Sequence, residues 1–96
     1  MLVSGRIKNR ALRRLARDGD ESGIRPDWLG RVKRILAALN VSTGPAELDM
    51  PGWKWHELKG DRKKTYSVLV SGNWRVTFKW DDDGPHSVDL EDYHGS

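Results

Sequence analysis

No cysteine occurs in this chain of 96 residues. Disulfide bridges and thiolate metal ligands are therefore excluded, which is typical of a protein from a reducing compartment. No apolar run approaches the roughly 20 residues that a helix needs to cross a membrane. Residues 1–10 carry three basic side chains and lack the apolar region of a signal peptide. We expect a cytoplasmic protein that makes no contact with a membrane.

Lysine and arginine are absent from residues 81–96, which hold six Asp or Glu. The basic residues lie upstream, with a net charge of +6 in residues 1–39 and +5 in residues 52–80. Because Lys and Arg bind phosphates and release counterions, the two basic segments indicate a surface for nucleic acid. The alternative is that these side chains only solvate helices and a sheet.

Short spacings between metal ligands are also missing. His56, His86 and His94 lie far apart in the chain, and none forms a zinc-like pair with a neighbouring histidine. We therefore expect neither a metal nor another cofactor.

The pattern of apolar residues predicts one small domain, residues 1–96, with a single core. Helical spacing predicts a helix over residues 9–18 and a second one from Pro26 to about Asn40. From Trp53 onward the period changes to two, which predicts strands at residues 53–56, 66–71, 74–80 and 87–91. This order predicts an α+β fold, with two N-terminal helices packed on one face of a mainly antiparallel β-sheet.

Successive side chains of a strand point to opposite faces of its sheet. The aromatic and branched residues must face the helices because they form the available core, and we interpret the five tryptophans as structural. The polar side chains then share the open face: Lys54, His56, Arg75, Thr77 and Lys79. This concentration of cations around an imidazole predicts an anion site.

His56 is the first candidate for acid–base chemistry. Nearby cations favour the neutral imidazole, which accepts a proton. The charged segment that follows reads first as a solvated turn, but Lys59 and Arg62 are also suited to binding RNA phosphates, and Gly60 permits a close backbone approach.

Arg75 lies in the middle of a predicted strand, between two core residues. A guanidinium held there is suited to binding a phosphate through two hydrogen bonds. The alternative is a cross-strand ion pair with Asp89 or Glu91.

An acid, a phenol and an imidazole are adjacent near the C-terminus, at Asp92, Tyr93 and His94. A neighbouring carboxylate orients an imidazole and stabilises its protonated form, which makes His94 a candidate proton donor. Tyr93 is suited to donating a hydrogen bond to a phosphoryl oxygen or to stacking on a base.

Several phrases of the chain, taken in order and at their spacing, resemble a known family. They are Arg34-Ile35-Leu36, Pro51-Gly52-Trp53, His56 with Leu58-Lys59-Gly60-Asp61, Ser67-Val68, Gly72-Asn73-Trp74-Arg75-Val76-Thr77-Phe78, and Glu91-Asp92-Tyr93-His94. This set is similar to the HigB-type toxins, also called plasmid-maintenance killer proteins, of the RelE/ParE toxin superfamily. The resemblance covers about residues 7–94.

The resemblance implies a RelE-like fold and an endoribonuclease that cuts mRNA in the A site of the 70S ribosome. It also implies a HigA-type helix-turn-helix antitoxin as partner, with operator DNA bound only through that antitoxin. By carry-over, four residues are catalytic: His56, Asp92, Tyr93 and His94. The expected RNA-binding and charge-stabilising residues are Lys54, Lys59, Arg62, Asn73, Arg75 and Lys79.

The reaction implied by the resemblance is metal-independent transesterification, in which the 2′-hydroxyl of the RNA attacks the adjacent phosphorus. His56 or Asp92 is then the general base, and His94 is the general acid. Two other functions stay open from the sequence: a ParE-like toxin that binds DNA gyrase without catalysis, and a simple RNA-binding module.

Overall fold

The computed structural model describes residues 1–93. Within them lie two α-helices and four β-strands, with 3₁₀ turns at Ser4–Arg6, Pro45–Leu48 and Gly60–Arg62. The bounds are α1 Arg10–Asp18, α2 Pro26–Val41, β1 His56–Glu57, β2 Tyr66–Ser71, β3 Trp74–Asp81 and β4 Gly84–Asp92.

Both helices begin where their sequence signals predict. The side chain of Asn9 caps α1 by accepting a hydrogen bond of 2.9 Å from the Leu12 amide. Gly19 ends α1 in the left-handed conformation, with φ of 70°. Pro26 occupies the first turn of α2, which extends one residue beyond the predicted end at Asn40.

The four strands form one antiparallel sheet in the order β1-β2-β3-β4. Residues of α2 and of the sheet share one buried cluster, to which α2 contributes Val32, Ile35, Leu36, Ala38 and Leu39 and the sheet contributes Val68, Val70, Val76, Phe78 and Val88. The predicted α+β class is confirmed. No helix among residues 1–93 is both long and apolar enough to cross a membrane.

The N-terminal segment adds a pairing that the sequence pattern did not predict. Ile7 forms a parallel bridge with Val88, and the Lys8 amide donates a hydrogen bond of 2.7 Å to the Val88 carbonyl. This contact covers part of the outer edge of β4. An edge covered in this way presents fewer unpaired backbone groups to other chains.

The strand predicted for residues 53–56 is shorter and later in the structure, since β1 contains only His56 and Glu57. Lys54 has a positive φ of 49°, which breaks the alternation of side chains before β1 begins. The period-two argument therefore does not determine the face of Lys54, although it holds for β2 and β3.

The tryptophans are less buried than their phase predicts. Trp53 is buried, whereas Trp28, Trp55 and Trp80 pack at the margin of the core. The Trp74 ring lies 5.4 Å from the Trp28 ring and is 37% exposed. These rings therefore seal the edges of a core that aliphatic side chains mostly fill.

Candidate functional site

One row of side chains crosses the open face of the sheet, the face turned away from α2. His56 of β1 lies opposite Ser67 of β2, Ser67 lies opposite Thr77 of β3, and Thr77 lies opposite Asp89 of β4. Directly opposed residues of adjacent strands share a face. The strand register therefore brings residues 56 and 89 onto one surface.

Arg75 lies two residues from that row and is held on the same face. Its guanidinium donates hydrogen bonds to the Ser67 hydroxyl, at 3.0 Å, and to the Lys54 carbonyl, at 3.1 Å. Burial lowers the pKa of Arg75, and the nearby Tyr93 opposes this shift. An arginine remains charged in proteins, so a partly buried cation lies here against two neutral oxygens.

The carboxylate opposite Arg75 is bound to a different arginine. Glu91 is the cross-strand neighbour of Arg75, but its two oxygens accept hydrogen bonds of 2.9 Å and 2.7 Å from Arg62. Thr77 also donates to Glu91. Hydrogen bonding from Arg62 holds the pKa of Glu91 below its ordinary range, and burial opposes that shift.

The surroundings of His56 suit the neutral tautomer that accepts a proton at Nε2. Its Nδ1 lies 3.3 Å from the Lys54 carbonyl, and a carbonyl can only accept, so Nδ1 carries the hydrogen. Nε2 of the neutral ring then carries the lone pair. This atom is buried and has no hydrogen-bond partner among residues 1–93.

The two described residues of the terminal cluster leave the last strand on opposite sides. Asp92 lies opposite Trp74, whose ring contacts Trp28 of α2, so this carboxylate is on the helix side. The ring of Tyr93 lies under Arg62, 6.0 Å from its guanidinium carbon, on the open face. His94, the candidate general acid, lies outside the described residues.

The remaining predicted RNA-binding residues surround this face. Lys54, Lys59, Asn73 and Lys79 are all exposed. Lys79 lines a cleft of about 220 Å³ together with Lys8, Arg62, Thr77, Asp89 and Glu91. Asn73 lies in the turn between β2 and β3, where its carbonyl accepts a hydrogen bond of 2.8 Å from the Tyr93 amide.

Ser67 was not predicted as a functional residue, whereas Thr77 was predicted to lie on the open face and Glu91 was an alternative ion-pair partner of Arg75. Ser67 and Thr77 are both buried polar residues of that face. The alternation of side chains along the strands could have identified them. Each lies on the same face of the sheet as a basic residue of its own strand or of the adjacent strand. Within the described part of the chain, no group of three His, Cys, Asp or Glu residues is arranged to hold a metal ion.

Comparison with known proteins identifies the family. A family model described as the RelE-like toxin of type II toxin-antitoxin system HigB matches residues 6–94. The chain is also 34% identical over 88 residues to the endoribonuclease HigB of Proteus vulgaris. This alignment covers 92% of this chain and 96% of that relative. The chain belongs to the HigB-like toxin family.

Membership confirms the resemblance found in the sequence and gives the open face a context. A HigB-like toxin belongs to a type II toxin–antitoxin system, which implies an antitoxin as its partner. The RelE-like description of the family agrees with the two helices and the antiparallel sheet of this structure.

Proposed function

We propose that this HigB-like toxin is an endoribonuclease that cuts mRNA in the ribosomal A site and thereby stops translation. The main support is the position of the Arg75 guanidinium. It is held on the open face by two neutral oxygens, while the neighbouring carboxylate of Glu91 binds Arg62 instead. A preorganised cation of this kind stabilises charge that develops on a phosphorane. The name of the relative from Proteus vulgaris supports ribonuclease chemistry.

His56 is the better supported general base of the two candidates. It shares the open face with Arg75, whereas Asp92 lies on the helix side. Its Nδ1 hydrogen is directed to the Lys54 carbonyl, so Nε2 accepts the proton of the RNA 2′-hydroxyl. Because Nε2 is buried, it reaches the 2′-hydroxyl only after the ring turns outward, a movement that gives up the hydrogen bond to the Lys54 carbonyl.

The remaining residues are assigned roles according to where charge develops during the cleavage reaction. The 2′-oxygen attacks the adjacent phosphorus, the bond to the 5′-oxygen breaks, and the products carry a 2′,3′-cyclic phosphate and a 5′-hydroxyl. Arg75 and Lys59 stabilise the phosphorane, Tyr93 contacts the RNA from the end of β4, and His94 protonates the leaving oxygen. General acid–base catalysis supplies roughly 10²–10⁴-fold. The ribosome supplies the orientation of the attacking hydroxyl.

A HigA-type helix-turn-helix antitoxin is the proposed partner, and operator DNA is bound only through it. The exposed arginines of α1 support a contact with an acidic partner surface, since Arg10, Arg14 and Arg17 project from the helix. In this proposal the toxin acts in the cytoplasm, where ribosomes and mRNA meet.

Induced expression without an antitoxin tests this function. Pulse labelling is expected to show protein synthesis falling before DNA synthesis, and primer extension on programmed 70S ribosomes is expected to show cuts in the A site. Arg75→Ala should abolish both effects, whereas Arg17→Ala, on the outer side of α1, should keep them. If DNA synthesis fell first, and mRNA on ribosomes stayed intact, the protein would be a gyrase-directed toxin instead.

A further inference from the structure

The open face contains a connected network that the proposed reaction does not use. Both terminal nitrogens of Arg62 bind both oxygens of Glu91, in a fork-to-fork pair with distances of 2.9 Å and 2.7 Å. Thr77, which is only 1% exposed, donates its hydroxyl to the same carboxylate. The Glu91 side chain is therefore held from two sides, by a turn and by the neighbouring strand.

The network ends on Tyr93. The guanidinium carbon of Arg62 lies 6.0 Å from the centre of the Tyr93 ring, within the range of a cation–π contact. Tyr93 follows the last residue of β4, so the sheet does not hold its ring. Its backbone is held by the hydrogen bond to the Asn73 carbonyl, and Arg62 supplies a contact to the ring itself.

We propose that Glu91 and Thr77 are positioning residues, which hold Arg62 against Tyr93 so that Arg62 orients this ring and does not bind an RNA phosphate. This inference rests on the proposed ribonuclease function, because it assigns Tyr93 a place at the RNA. It also replaces the phosphate-binding role that the sequence predicts for Arg62.

The negative charge of Glu91 explains why Arg62 is not expected to bind an RNA phosphate. The carboxylate of Glu91 already occupies the two terminal nitrogens with which Arg62 would grip a phosphate. A phosphate that approached Arg62 would also approach the negative charge of Glu91. Arg75, which donates to neutral oxygens, offers a cation without this competition.

The position of the network in the fold supports a mechanical role. Arg62 ends the 3₁₀ turn Gly60–Arg62, which directly follows the exposed Lys59. Glu91 and Thr77 belong to the two strands with the longest pairing in the sheet. The network therefore links a turn and Tyr93 to the two longest-paired strands of the sheet, beside the cleft that Arg62, Thr77 and Glu91 line.

Three variants separate positioning from phosphate binding. Glu91→Gln removes the charge of the carboxylate, Thr77→Val removes the buried hydroxyl at nearly constant volume, and Arg62→Lys keeps the positive charge without the planar fork. Each is expected to lower the single-turnover cleavage rate on programmed ribosomes by roughly 10–100-fold, since small displacements of a reacting geometry have costs of that order. The affinity for ribosomes and its dependence on salt should stay unchanged in Thr77→Val and Arg62→Lys. Glu91→Gln, which removes the negative charge beside Arg62, should not weaken binding. Thr77→Ser, which restores the hydroxyl, should restore the rate.

A measurement that does not depend on cleavage tests the positioning of Tyr93 separately from the proposed function. Nuclear magnetic resonance of the wild-type chain and the variants is expected to show the Tyr93 ring signals shifted in all three variants and close to wild type in Thr77→Ser. The effect of Arg62→Lys on cleavage should also vanish in a Tyr93→Ala background, because a residue that acts through Tyr93 adds nothing once the ring is gone.

Each failure has its own signature. If the wild type cleaves no mRNA, the proposed function is wrong, and the Tyr93 signals still report whether the network positions the ring. If Arg62→Lys or Arg62→Ala weakens ribosome binding and lowers its salt dependence while the bound complex cleaves at the wild-type rate, Arg62 is a phosphate ligand and the inference is overturned. Unchanged Tyr93 signals in all three variants, with melting temperatures showing folded protein, would overturn it as well.

Discussion

At the scale of single residues, the two arginines of the open face differ in their hydrogen-bond partners. Arg62 is compensated by a carboxylate, and Arg75 donates to a hydroxyl and a backbone carbonyl. Arg75 has no carboxylate partner among residues 1–93, so its guanidinium keeps its attraction for phosphate. The catalytic proposal centres on Arg75 for this reason. His56 is linked to the same place, because its ring and Arg75 share the Lys54 carbonyl.

His56→Gln is expected to lower the single-turnover cleavage rate by roughly 10²–10⁴-fold, the usual contribution of general acid–base catalysis. Glutamine keeps a polar side chain but does not take a proton, so binding to ribosomes should be retained. His86→Gln is the matched control, since His86 lies beside Asp81 at the other end of β4. A normal rate in His56→Gln would move the base role to Asp92.

The ion pair between Arg6 and Asp81 predicts an acid-sensitive contribution to folding. Hydrogen bonding from Arg6 lowers the pKa of Asp81 from 3.8 to about 2. A carboxyl whose pKa is depressed in the folded state stabilises the fold above its unfolded pKa, and this contribution is lost as the pH falls from about 4 to about 2. The melting temperature of Asp81→Asn should therefore fall less steeply over this range than that of the wild type.

The pair is exposed, so added salt should weaken the same effect. Asp82→Asn, which changes the next residue in the turn, is the control and should leave the acid dependence as it is in the wild type. An Asp81→Asn protein with the full wild-type loss of stability between these pH values would show that other carboxyls carry the acid response.

At the scale of secondary-structure elements, α2, β2 and β3 follow their sequence patterns, whereas β1 begins later than predicted and β4 begins at Gly84, three residues before the predicted strand. The cap at Asn9 and the left-handed Gly19 delimit α1 because each satisfies backbone groups that a helix end leaves unpaired. Lys54 departs from the strand pattern because its backbone is left-handed. Ser87 likewise has a positive φ of 53°, where an extra residue of β4 shifts the register against β3.

Leu39→Ala tests the packing of α2 on the sheet. Leu39 is fully buried, so its truncation should remove about 2–5 kcal/mol from the free energy of unfolding, through lost apolar burial and the cavity left behind. Val41→Ala, two residues later on an exposed position of the same helix, should change it little. Urea unfolding of both variants measures the difference, and equal losses would contradict the observed orientation of α2.

At the scale of the whole molecule, the acidic and basic segments meet in the sheet. Residues 81–96 carry six of the 14 acidic residues, and β4 lies beside β3, which contains Arg75 and Lys79. Ion pairs use part of the positive charge: Arg6 binds Asp81, Arg17 binds Asp18 and Arg62 binds Glu91. Of these three arginines only Arg62 lies in residues 52–80, so its ion pair with Glu91 occupies one of the seven basic residues of that segment.

Binding to ribosomes is expected to weaken steeply as the salt concentration rises, since phosphate contacts release counterions. Lys59→Ala should lower the slope of log affinity against log salt by roughly 0.7–0.9, the value for one phosphate contact. Arg17→Ala should leave the slope unchanged, because Arg17 is paired with Asp18 on the far side of α1. Equal slopes for the wild type and Lys59→Ala would remove Lys59 from the RNA interface.

The sequence by itself determined the features that depend on neighbours in the chain. The helix start at Pro26, the apolar stripe of α2 and the alternation of β3 are local patterns, so the α+β fold and the open face were predictable. The six phrases from Arg34-Ile35-Leu36 to Glu91-Asp92-Tyr93-His94, taken in order and at their spacing, indicated the family. These signals lie within a few residues of one another, where geometry repeats regularly.

Only the tertiary structure decided which charges meet. Arg62 and Glu91 are 29 residues apart, and the 3₁₀ turn places Arg62 on the carboxylate that lies opposite Arg75. The burial of the His56 Nε2 atom and the pairing of Ile7 with Val88 likewise depend on segments distant in sequence. Periodicity assigns a side chain to a face, but register and loop path decide its partner there, because both are set by the packing of the complete fold.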